Sequence, residues 1–229
     1  MENFGTLTLG AVPIGDHKDS SINLINYIIN HKIILVESLE AFENLCQNLK
    51  IKTNAKIVNY GNHDKKNINQ EYIDILKNGT DILFLSDEGT AGLIDPGGQL
   101  MDTARNNNIK VKVMAGPNSV IPSIILARFH RSFYFHGPSP DREDRRKSFS
   151  KLSNYEFPMV FNVSLLYIKD FIDDAKEYFG LDRKVFVACN LTKDNEFTIF
   201  TTLNEISNFI TYDKINFSIT LVIDGKGTI

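Results

Sequence analysis

The sequence contains few cysteines, and their spacing indicates neither a disulfide nor a metal-binding motif. Cys46 and Cys189 are the two in 229 residues, and they are far apart in the chain without a CxxC motif. This scarcity argues against a disulfide framework or a zinc site, and it suits the reducing environment of the cytosol.

A basic excess is also missing. The chain has 28 acidic residues against 25 lysines and arginines, which gives a formal net charge of -3. Proteins that bind bulk nucleic acid by neutralising phosphates usually show the opposite balance. Any RNA substrate would therefore have to meet a local patch of positive charge.

Long apolar runs are missing too. Runs such as Ile33–Val36 and Ile82–Leu85 are far too short to span a bilayer. The first residues show neither the basic region nor the uninterrupted apolar region of a signal peptide. We therefore expect a soluble, cytoplasmic protein without a membrane partner.

The common nucleotide-binding fingerprints do not occur. The sequence has no GxGxxG motif and no GxxxxGK motif followed by Ser or Thr. A phosphate-cradling nucleotide site is therefore unsupported. A hydride-transferring Rossmann enzyme is a poor candidate for the same reason.

Short apolar runs alternate with amphipathic stretches through the first half of the chain. This alternation predicts a mostly parallel α/β sheet with right-handed crossovers. The predicted strands are Thr6–Val12, Ile33–Glu37, Ala55–Tyr60, Asp81–Leu85 and Lys110–Met114. The predicted helices are Ser20–Asn30, Leu39–Leu49, Asn69–Lys77 and Leu100–Asn107.

The pattern restarts near Gly116, which predicts two α/β domains at residues 1–116 and 117–229. Consecutive strands late in the chain predict a mixed second sheet. The predicted strands there are Phe133–Phe135, Met159–Val163, Lys184–Cys189, Asn195–Thr201 and Phe217–Ile223. The predicted helices are Ser119–Phe129, Arg145–Leu152, Ile168–Tyr178 and Leu203–Ile210.

Three glycine-containing turns follow predicted parallel strands, in segments 12–16, 85–97 and 115–117. Open α/β sheets bind ligands at the carboxyl ends of their strands, so the three turns indicate one crevice. In the second turn, Asp87 and Asp95 could accept hydrogen bonds from a ligand. The alternative is a glycine-rich turn in which these aspartates cap the local backbone.

These turns resemble the ordered signatures of the tetrapyrrole methylase superfamily. The matching segments are Val12-Pro-Ile-Gly-Asp16, Ser86-Asp-Glu-Gly-Thr90 with Asp95-Pro-Gly97, and Ala115-Gly-Pro-Asn-Ser119. Further segments resemble the branch that methylates a cytidine 2′-hydroxyl in 16S ribosomal RNA. They are Tyr60 with His63, Phe135-His-Gly-Pro-Ser-Pro140, Leu191-Thr-Lys193 followed by Glu196, and Leu221-Val-Ile-Asp-Gly225.

The resemblance implies two α/β domains with S-adenosylmethionine in the cleft between them, a homodimer and no metal. It also implies which residues bind the methyl donor. On the matching positions these are Pro13, Gly15, Ser86, Asp87, Gly89, Thr90, Ile94, Ser119, Leu191, Thr192 and Gly225. Leu191 and Thr192 would approach the adenosine, and Gly225 would sit near the adenine.

The chain departs from the branch's pattern mainly on the acceptor side. An acidic-threonine-arginine motif is here Glu37-Ser-Leu-Glu40, which keeps the first acid. A Glu-Ser…Arg pattern is replaced in segment 161–167, and an Arg-Glu pair is replaced by Cys189-Asn190. Substrate identity is therefore less well indicated than the methyl donor.

Methyl transfer to a ribose hydroxyl depends on alignment and benefits from a general base. The candidates are His63 and Asp87, with Asp64 third. His63 has an ordinary pKa near neutrality, although it could equally be a solvated loop histidine. Asp87 fits a donor-site ligand better than a base.

A charged run at 141–147 could bind phosphates through Arg142, Arg145 and Arg146. Arg128, His130 and Arg131 could extend this positive surface. The alternative is a salt-bridged helix start, because acids are interleaved with the bases. Nearby Phe133 and Phe135 could stack on bases, but we expect them in the core.

The leading hypothesis is 2′-O-methylation of a ribosomal RNA ribose by a dimeric enzyme. A second is a methyltransferase acting on a small molecule or a peptide, suggested by the missing acceptor-side charges. A third is a donor-binding protein that has lost transferase activity.

Overall fold

The computed structural model describes residues 3–61, 65–95, 97–129, 132–139, 141–210 and 219–227. They form two compact units, Met1–Asn118 and Ser119–Ile229, which we call unit 1 and unit 2. The division follows Asn118, whereas the restart in the sequence pattern placed it after Gly116.

Unit 1 is built on a five-stranded parallel sheet whose order is β4-β3-β5-β1-β7. The strands of this sheet are β1 Thr6–Leu9, β3 Ile33–Val36, β4 Lys56–Asn59, β5 Ile82–Leu85 and β7 Lys110–Val113. A separate two-stranded ribbon is formed by β2 Ala11–Val12 and β6 Gly89–Thr90. The helices are α1 Ile22–Asn30, α2 Leu39–Leu49, α3 Lys65–Lys77 and α4 Gly97–Asn106.

The central strand of unit 1 is buried on both faces, as its continuous apolar run predicts. Ile82 and Phe84 belong to one apolar cluster, and Leu83 and Leu85 belong to another. Alternate residues of a strand point to opposite faces, so the two clusters lie on opposite sides of the sheet. This burial makes the ends of the strands the accessible part of the sheet.

Unit 2 is built on a mixed sheet whose order is β11-β10-β12-β9-β8. Its strands are β8 Tyr134–Pro138, β9 Met159–Val163, β10 Lys184–Cys189, β11 Phe197–Thr202 and β12 Ile219–Ile223. β8 pairs with β9 in parallel, and the other pairs are antiparallel. The helices are α5 Val120–Ala127, α6 Arg142–Leu152 and α7 Ile168–Phe179. The two units confirm the predicted α/β fold class, including the mixed second sheet.

The predicted helix Leu203–Ile210 is wrong. The structure has a single 3₁₀ turn there, Ile206–Asn208. The backbone N–H groups of Leu203 and Asn204 donate to the carbonyls of Arg183 and Leu181 instead of joining a helix. Long-range pairing therefore replaces the local helical hydrogen bonds.

The aromatic residues near β8 are more exposed than predicted. Phe133 is 36% exposed and Phe135 is partly exposed, so neither is a core residue. Because β8 is the edge strand of the sheet, it has a neighbouring strand on one side. In the described part of the chain, no helix has both the length and the apolar character needed to cross a membrane.

Candidate active site

The carboxyl ends of the parallel strands in unit 1 meet at one edge of its sheet. The chain leaves that edge in three segments, 10–16 after β1, 86–97 after β5 and 114–118 after β7, which we call loops A, B and C. Parallel strands place such loops side by side when the strands are neighbours, and β5 and β7 flank β1.

Loops A and B are joined by the short antiparallel ribbon of β2 and β6. Ala11 pairs with Thr90, and Val12 pairs with Gly89. Gly89 has a φ of +77°, a conformation that favours glycine over residues with a side chain. The glycine therefore allows loop B to turn back against loop A.

Loop C contacts both of the other loops. The hydroxyl of Thr90 donates to the carbonyl oxygen of Pro117 at 3.0 Å. A Cβ atom on Gly116 would overlap the side chain of Ala11, so loops C and A pack closely. The three glycine turns lie together, as the sequence predicts.

Asp87 is held at the start of loop B by a segment that follows β3. Its backbone N–H donates to the Glu37 carboxylate at 3.1 Å. Partial burial raises the pKa of the Asp87 carboxyl, although a hydrogen bond from the Ser38 backbone N–H opposes that shift. The sequence motifs did not predict this pairing of Glu37, although the shared edge of parallel strands could have indicated it.

Asp95 stabilises the backbone of loop B, the loop in which it lies. Its carboxylate accepts hydrogen bonds from the backbone N–H groups of Gly92 at 2.6 Å and Gly97 at 2.8 Å. This is the capping alternative considered for the second glycine turn. Ser86, which is buried, likewise turns inward and donates to the carbonyls of Glu88 and Gly89 at 3.4 and 3.3 Å.

The other predicted donor residues of the first half occupy different environments. Pro13 is buried in loop A, and Gly15 is partly exposed. Ile94 is 46% exposed, which is unusual for an isoleucine and leaves an apolar surface on loop B. Ser119, the first residue of unit 2, accepts a hydrogen bond from the Ser123 hydroxyl through its carbonyl oxygen.

In unit 2 the predicted donor residues Leu191 and Thr192 form a tight turn after β10. Asn190 and Thr192 have φ values of 54° and 64°, in the left-handed region that residues with side chains rarely adopt. The Thr192 backbone N–H donates to the Glu196 carboxylate at 2.6 Å and holds the turn. Such conformations concentrate at ligand-binding sites.

Two predicted parts of the donor site lie at opposite ends of the second sheet, namely Gly225, expected near the adenine, and Leu191 with Thr192, expected at the adenosine. β12 runs antiparallel to β10, so Ile223 pairs with Val185 and Ile219 pairs with Cys189. Leu191 follows Cys189, whereas Gly225 follows Ile223 at the opposite end of the sheet. Val185 and Cys189 alone are about 13 Å apart along the strand.

Gly225 has a packing role within unit 2. A Cβ atom at this position would overlap the carbonyl group of Glu156. The adjacent Lys226 backbone N–H donates to the Tyr155 carbonyl at 2.7 Å, which keeps the two segments in contact. The glycine is therefore explained by a backbone crossing within unit 2.

The burial of Arg145 contradicts the prediction that this residue contacts a phosphate. Arg145 is 1% exposed, and its Nε and Nη2 donate to the Asp174 carboxylate at 2.9 and 2.6 Å. Arg146 also donates to Asp174, at 2.7 Å, and to Glu177. Burial would raise the pKa of Asp174, but the hydrogen bonds from the two arginines outweigh it and lower that pKa.

The remaining cations of this run are on the surface. Arg142 is exposed and lies 3.7 Å from Asp174, and Lys147 pairs with Glu143 at 2.7 Å. The charged run thus matches the alternative of a salt-bridged helix start. Four predicted residues, His63, Asp64, His130 and Arg131, lie outside the described residues.

Loops A and B together with α2 enclose a pocket of about 40 Å³ within unit 1. Its lining includes Pro13, Ser86 and Asp87, three of the predicted donor residues. His17 also lines it, although no motif in the sequence marks this residue. Within unit 1, the described residues thus bring three glycine-containing loops together at one sheet edge, beside this pocket.

Sequence comparisons agree with this arrangement. The model of the tetrapyrrole (corrin/porphyrin) methylases matches residues 6–207. The ribosomal RNA small subunit methyltransferase I of Halalkalibacterium halodurans is 29% identical over 225 residues, covering 97% of this chain and 77% of that protein. The protein of the same name from Thermotoga maritima is 27% identical over 224 residues, covering 97% and 99%.

Solved structures show the same fold at lower identity. The crystal structure of the methyltransferase CobJ has a TM-score of 0.75 at 12% identity and covers 98% of this chain and 96% of that one. Uroporphyrin-III C-methyl transferase from Thermus thermophilus, complexed with S-adenyl homocysteine, has a TM-score of 0.62 at 14% identity and covers 97% of each chain. Because the family match spans most of the sequence, this chain belongs to the tetrapyrrole methylase family and is an S-adenosylmethionine-dependent methyltransferase.

Proposed function

We propose that this protein methylates the 2′-hydroxyl of a cytidine ribose in small-subunit ribosomal RNA. The observation that carries the proposal is that backbone pairing and a hydrogen bond join loops A, B and C at one sheet edge. The relatives of this chain are named for that RNA. S-adenosylmethionine supplies the methyl group as a sulfonium.

The residues of unit 1 hold and orient the donor in this proposal. The backbone of loop B between Ser86 and Thr90 would face it, with Gly89 allowing close approach. Pro13 and Gly15 would form one wall, and Ile94 would offer an apolar contact. In unit 2, Leu191 and Thr192 would approach the adenosine, because they belong to a turn of unusual backbone conformation at the end of β10. Positioning of this kind can lower the barrier to methyl transfer by several kcal/mol.

The acceptor side uses Asp87 and His63 in this proposal. Asp87 would orient the ribose through its carboxylate, and His63 remains a proposed base. Arg142 would contact phosphate, since its side chain is 64% exposed. We also propose a homodimer and a cytoplasmic location, both consistent with ribosomal RNA as the acceptor.

The test uses labelled donor with small-subunit RNA and with assembled subunits. We expect label in the RNA, at a nuclease-resistant cytidine dinucleotide, because 2′-O-methylation blocks hydrolysis of the next phosphodiester. A Gly89→Val variant should lose donor binding, measured by calorimetry, and lose labelling. Gly180→Val is the matched control, because Gly180 also has a positive φ and its Cβ would meet nothing within 4 Å. Intact donor binding by the wild-type protein without label in either RNA would refute the RNA acceptor.

A small-molecule or peptide acceptor is the second candidate. It is favoured by the pairing of Arg145 and Arg146 with acids, which leaves them unsuited to phosphate. Phosphate-based RNA binding weakens steeply with salt, so the salt dependence of turnover separates the two acceptors. Turnover that is constant between low and physiological salt would support the second candidate.

A further inference from the structure

The pocket of about 40 Å³ in unit 1 combines apolar walls with a polar rim. Such a volume holds a single group or a few waters, and it is far smaller than the roughly 300–1,000 Å³ that a whole drug-sized ligand requires. The apolar walls come from loop A, β3, α2 and β5, in the residues Val12, Val36, Phe42, Leu45 and Leu85.

Most polar side chains of the rim already have partners. The Ser38 hydroxyl accepts from the Ala41 backbone N–H at 3.3 Å, as the cap of α2. The Ser86 hydroxyl donates within loop B, and the Asp87 carboxylate accepts from the Ser38 backbone N–H. These groups stabilise the loops that carry them.

His17 differs from these residues. It lies on a 3₁₀ turn, His17–Asp19, that follows loop A and packs against α2. Its Nδ1 atom is buried and has no hydrogen-bond partner among the described residues. Burying a polar atom without a partner is unfavourable, so this atom requires an explanation.

The lining of the pocket connects His17 with both the proposed donor site and the acceptor side. The pocket shares Pro13, Ser86 and Asp87 with the proposed donor site. It also includes Ser38, in the segment that departs from the branch's acidic-threonine-arginine pattern. His17 therefore lies where the donor side and the altered acceptor side meet.

We propose that this pocket receives the acceptor hydroxyl and that Nδ1 of His17, in place of His63, is the base that takes its proton. The inference rests on the proposed function. In the step, the bond from the methyl carbon to sulfur breaks as the bond from that carbon to the hydroxyl oxygen forms. Sulfur keeps the electron pair of the broken bond, and the hydroxyl proton passes to Nδ1. The apolar walls exclude water from the forming bond.

Two substitutions separate hydrogen bonding from proton transfer. His17→Asn places an amide near the position of Nδ1 and keeps a polar partner there, but it cannot hold the proton. His17→Phe removes both properties. General-base catalysis typically contributes about 10²–10⁴-fold, so we expect kcat to fall by about 100-fold or more in both variants. The KM for RNA should rise in His17→Phe alone, and the affinity for S-adenosylhomocysteine should be unchanged in both.

His31→Asn is the matched control. His31 is also a partly buried histidine of unit 1, but its Nδ1 lies 2.9 Å from the Tyr27 carbonyl and its ring stacks on Tyr27. This variant should keep wild-type kcat. If His17→Asn also keeps wild-type kcat, His17 is not the base and the inference is overturned.

A measurement without turnover distinguishes this inference from the proposed function. The ring nitrogens of His17 can be followed by nitrogen-15 NMR with S-adenosylhomocysteine bound. Adding cytidine should shift the Nδ1 resonance, and adding 2′-deoxycytidine should not. If neither nucleoside shifts it, the pocket does not receive the hydroxyl, even if the protein labels RNA. A protein that shows the shift but does not label ribosomal RNA would retain the hydroxyl pocket and lose the proposed RNA acceptor.

Discussion

The two sheets of this protein arrange their strand ends in opposite ways. In unit 1 all five strands are parallel, so the loops after β1, β5 and β7 emerge at one edge. In unit 2 the antiparallel pairing of β10 with β12 sends Leu191 and Gly225 to opposite edges. Sequence motifs that follow strands therefore converge in the first sheet and separate in the second.

The same contrast applies to the charged residues. Glu37 and Asp87 of unit 1 lie at the loop-bearing edge. Asp174 of unit 2 is 1% exposed and joins α7 to α6 through Arg145 and Arg146. These two acids of unit 1 lie at the candidate site, whereas Asp174 of unit 2 holds two helices together.

The largest effect is expected from breaking the buried ion pair of unit 2. Asp174→Ala leaves Arg145 buried without its partner, and such losses cost about 3–5 kcal/mol of unfolding free energy. Urea unfolding followed by circular dichroism measures the change. The control is Glu143→Ala, which removes an exposed pair with Lys147 and should cost about 0.5 kcal/mol or less. Equal losses in the two variants would contradict a structural role for Asp174.

A smaller effect is expected from Gly225→Ala. The added methyl group would overlap the Glu156 carbonyl, and overpacking of this kind costs about 1–3 kcal/mol. Donor affinity should not change, because Gly225 lies at the sheet edge away from Leu191. Thermal unfolding and calorimetry with S-adenosylhomocysteine check both parts. A variant that folds with wild-type stability but loses donor affinity would place Gly225 back at the adenine.

Thr90→Val tests the hydrogen bond that joins loops B and C in unit 1. It removes the hydrogen bond to Pro117 with little change of shape, which costs about 0.5–1.5 kcal/mol. If that energy positions the loops for the donor, affinity should fall by up to about tenfold. Thr103→Val removes a hydroxyl that bonds within α4 and should leave affinity unchanged. A similar affinity in both variants would show that the B–C contact does not shape the site.

The smallest effect is expected at Asp87, whose pKa shift is opposite to that of Asp174. The pKa of Asp87 is raised, so its contribution to stability is present below the ordinary carboxyl pKa and is lost as pH rises through the folded value. The pKa of Asp174 is lowered, so its contribution is present above the ordinary pKa and is lost as pH falls through the folded value.

Asn substitutions at the two positions should therefore differ in sign. At neutral pH, Asp87→Asn should be slightly more stable than the wild type, and Asp174→Asn should be less stable. The Asp87→Asn difference should shrink as the pH is lowered to about 4, where the carboxyl groups of the unfolded chain protonate. The Asp174→Asn difference should shrink mainly below that pH, because the folded pKa of Asp174 is lowered. Urea midpoints at the two pH values measure this. The same sign for both variants would contradict the opposite shifts.

The apolar periodicity of the sequence predicted strands and helices well. Strands such as Met159–Val163 and helices such as Leu39–Leu49 have the predicted bounds, because apolar periodicity reports burial directly. The convergence of loops A, B and C was predictable because parallel strands share one carboxyl edge. The 3₁₀ turn at Ile206–Asn208 was not, since Leu203 and Asn204 before it bond to a distant loop instead of starting a helix.

By itself the sequence determined the family, the methyl donor and the alternation of strands and helices, since each depends on residues close together in the chain. The tertiary structure decided which charges are buried and which strand ends meet. Arg145 and Asp174 are 29 residues apart, and their pairing depends on how α6 packs on α7. The orphaned Nδ1 of His17 is likewise a product of packing, because burial without a partner is a property of the surroundings and not of the residue.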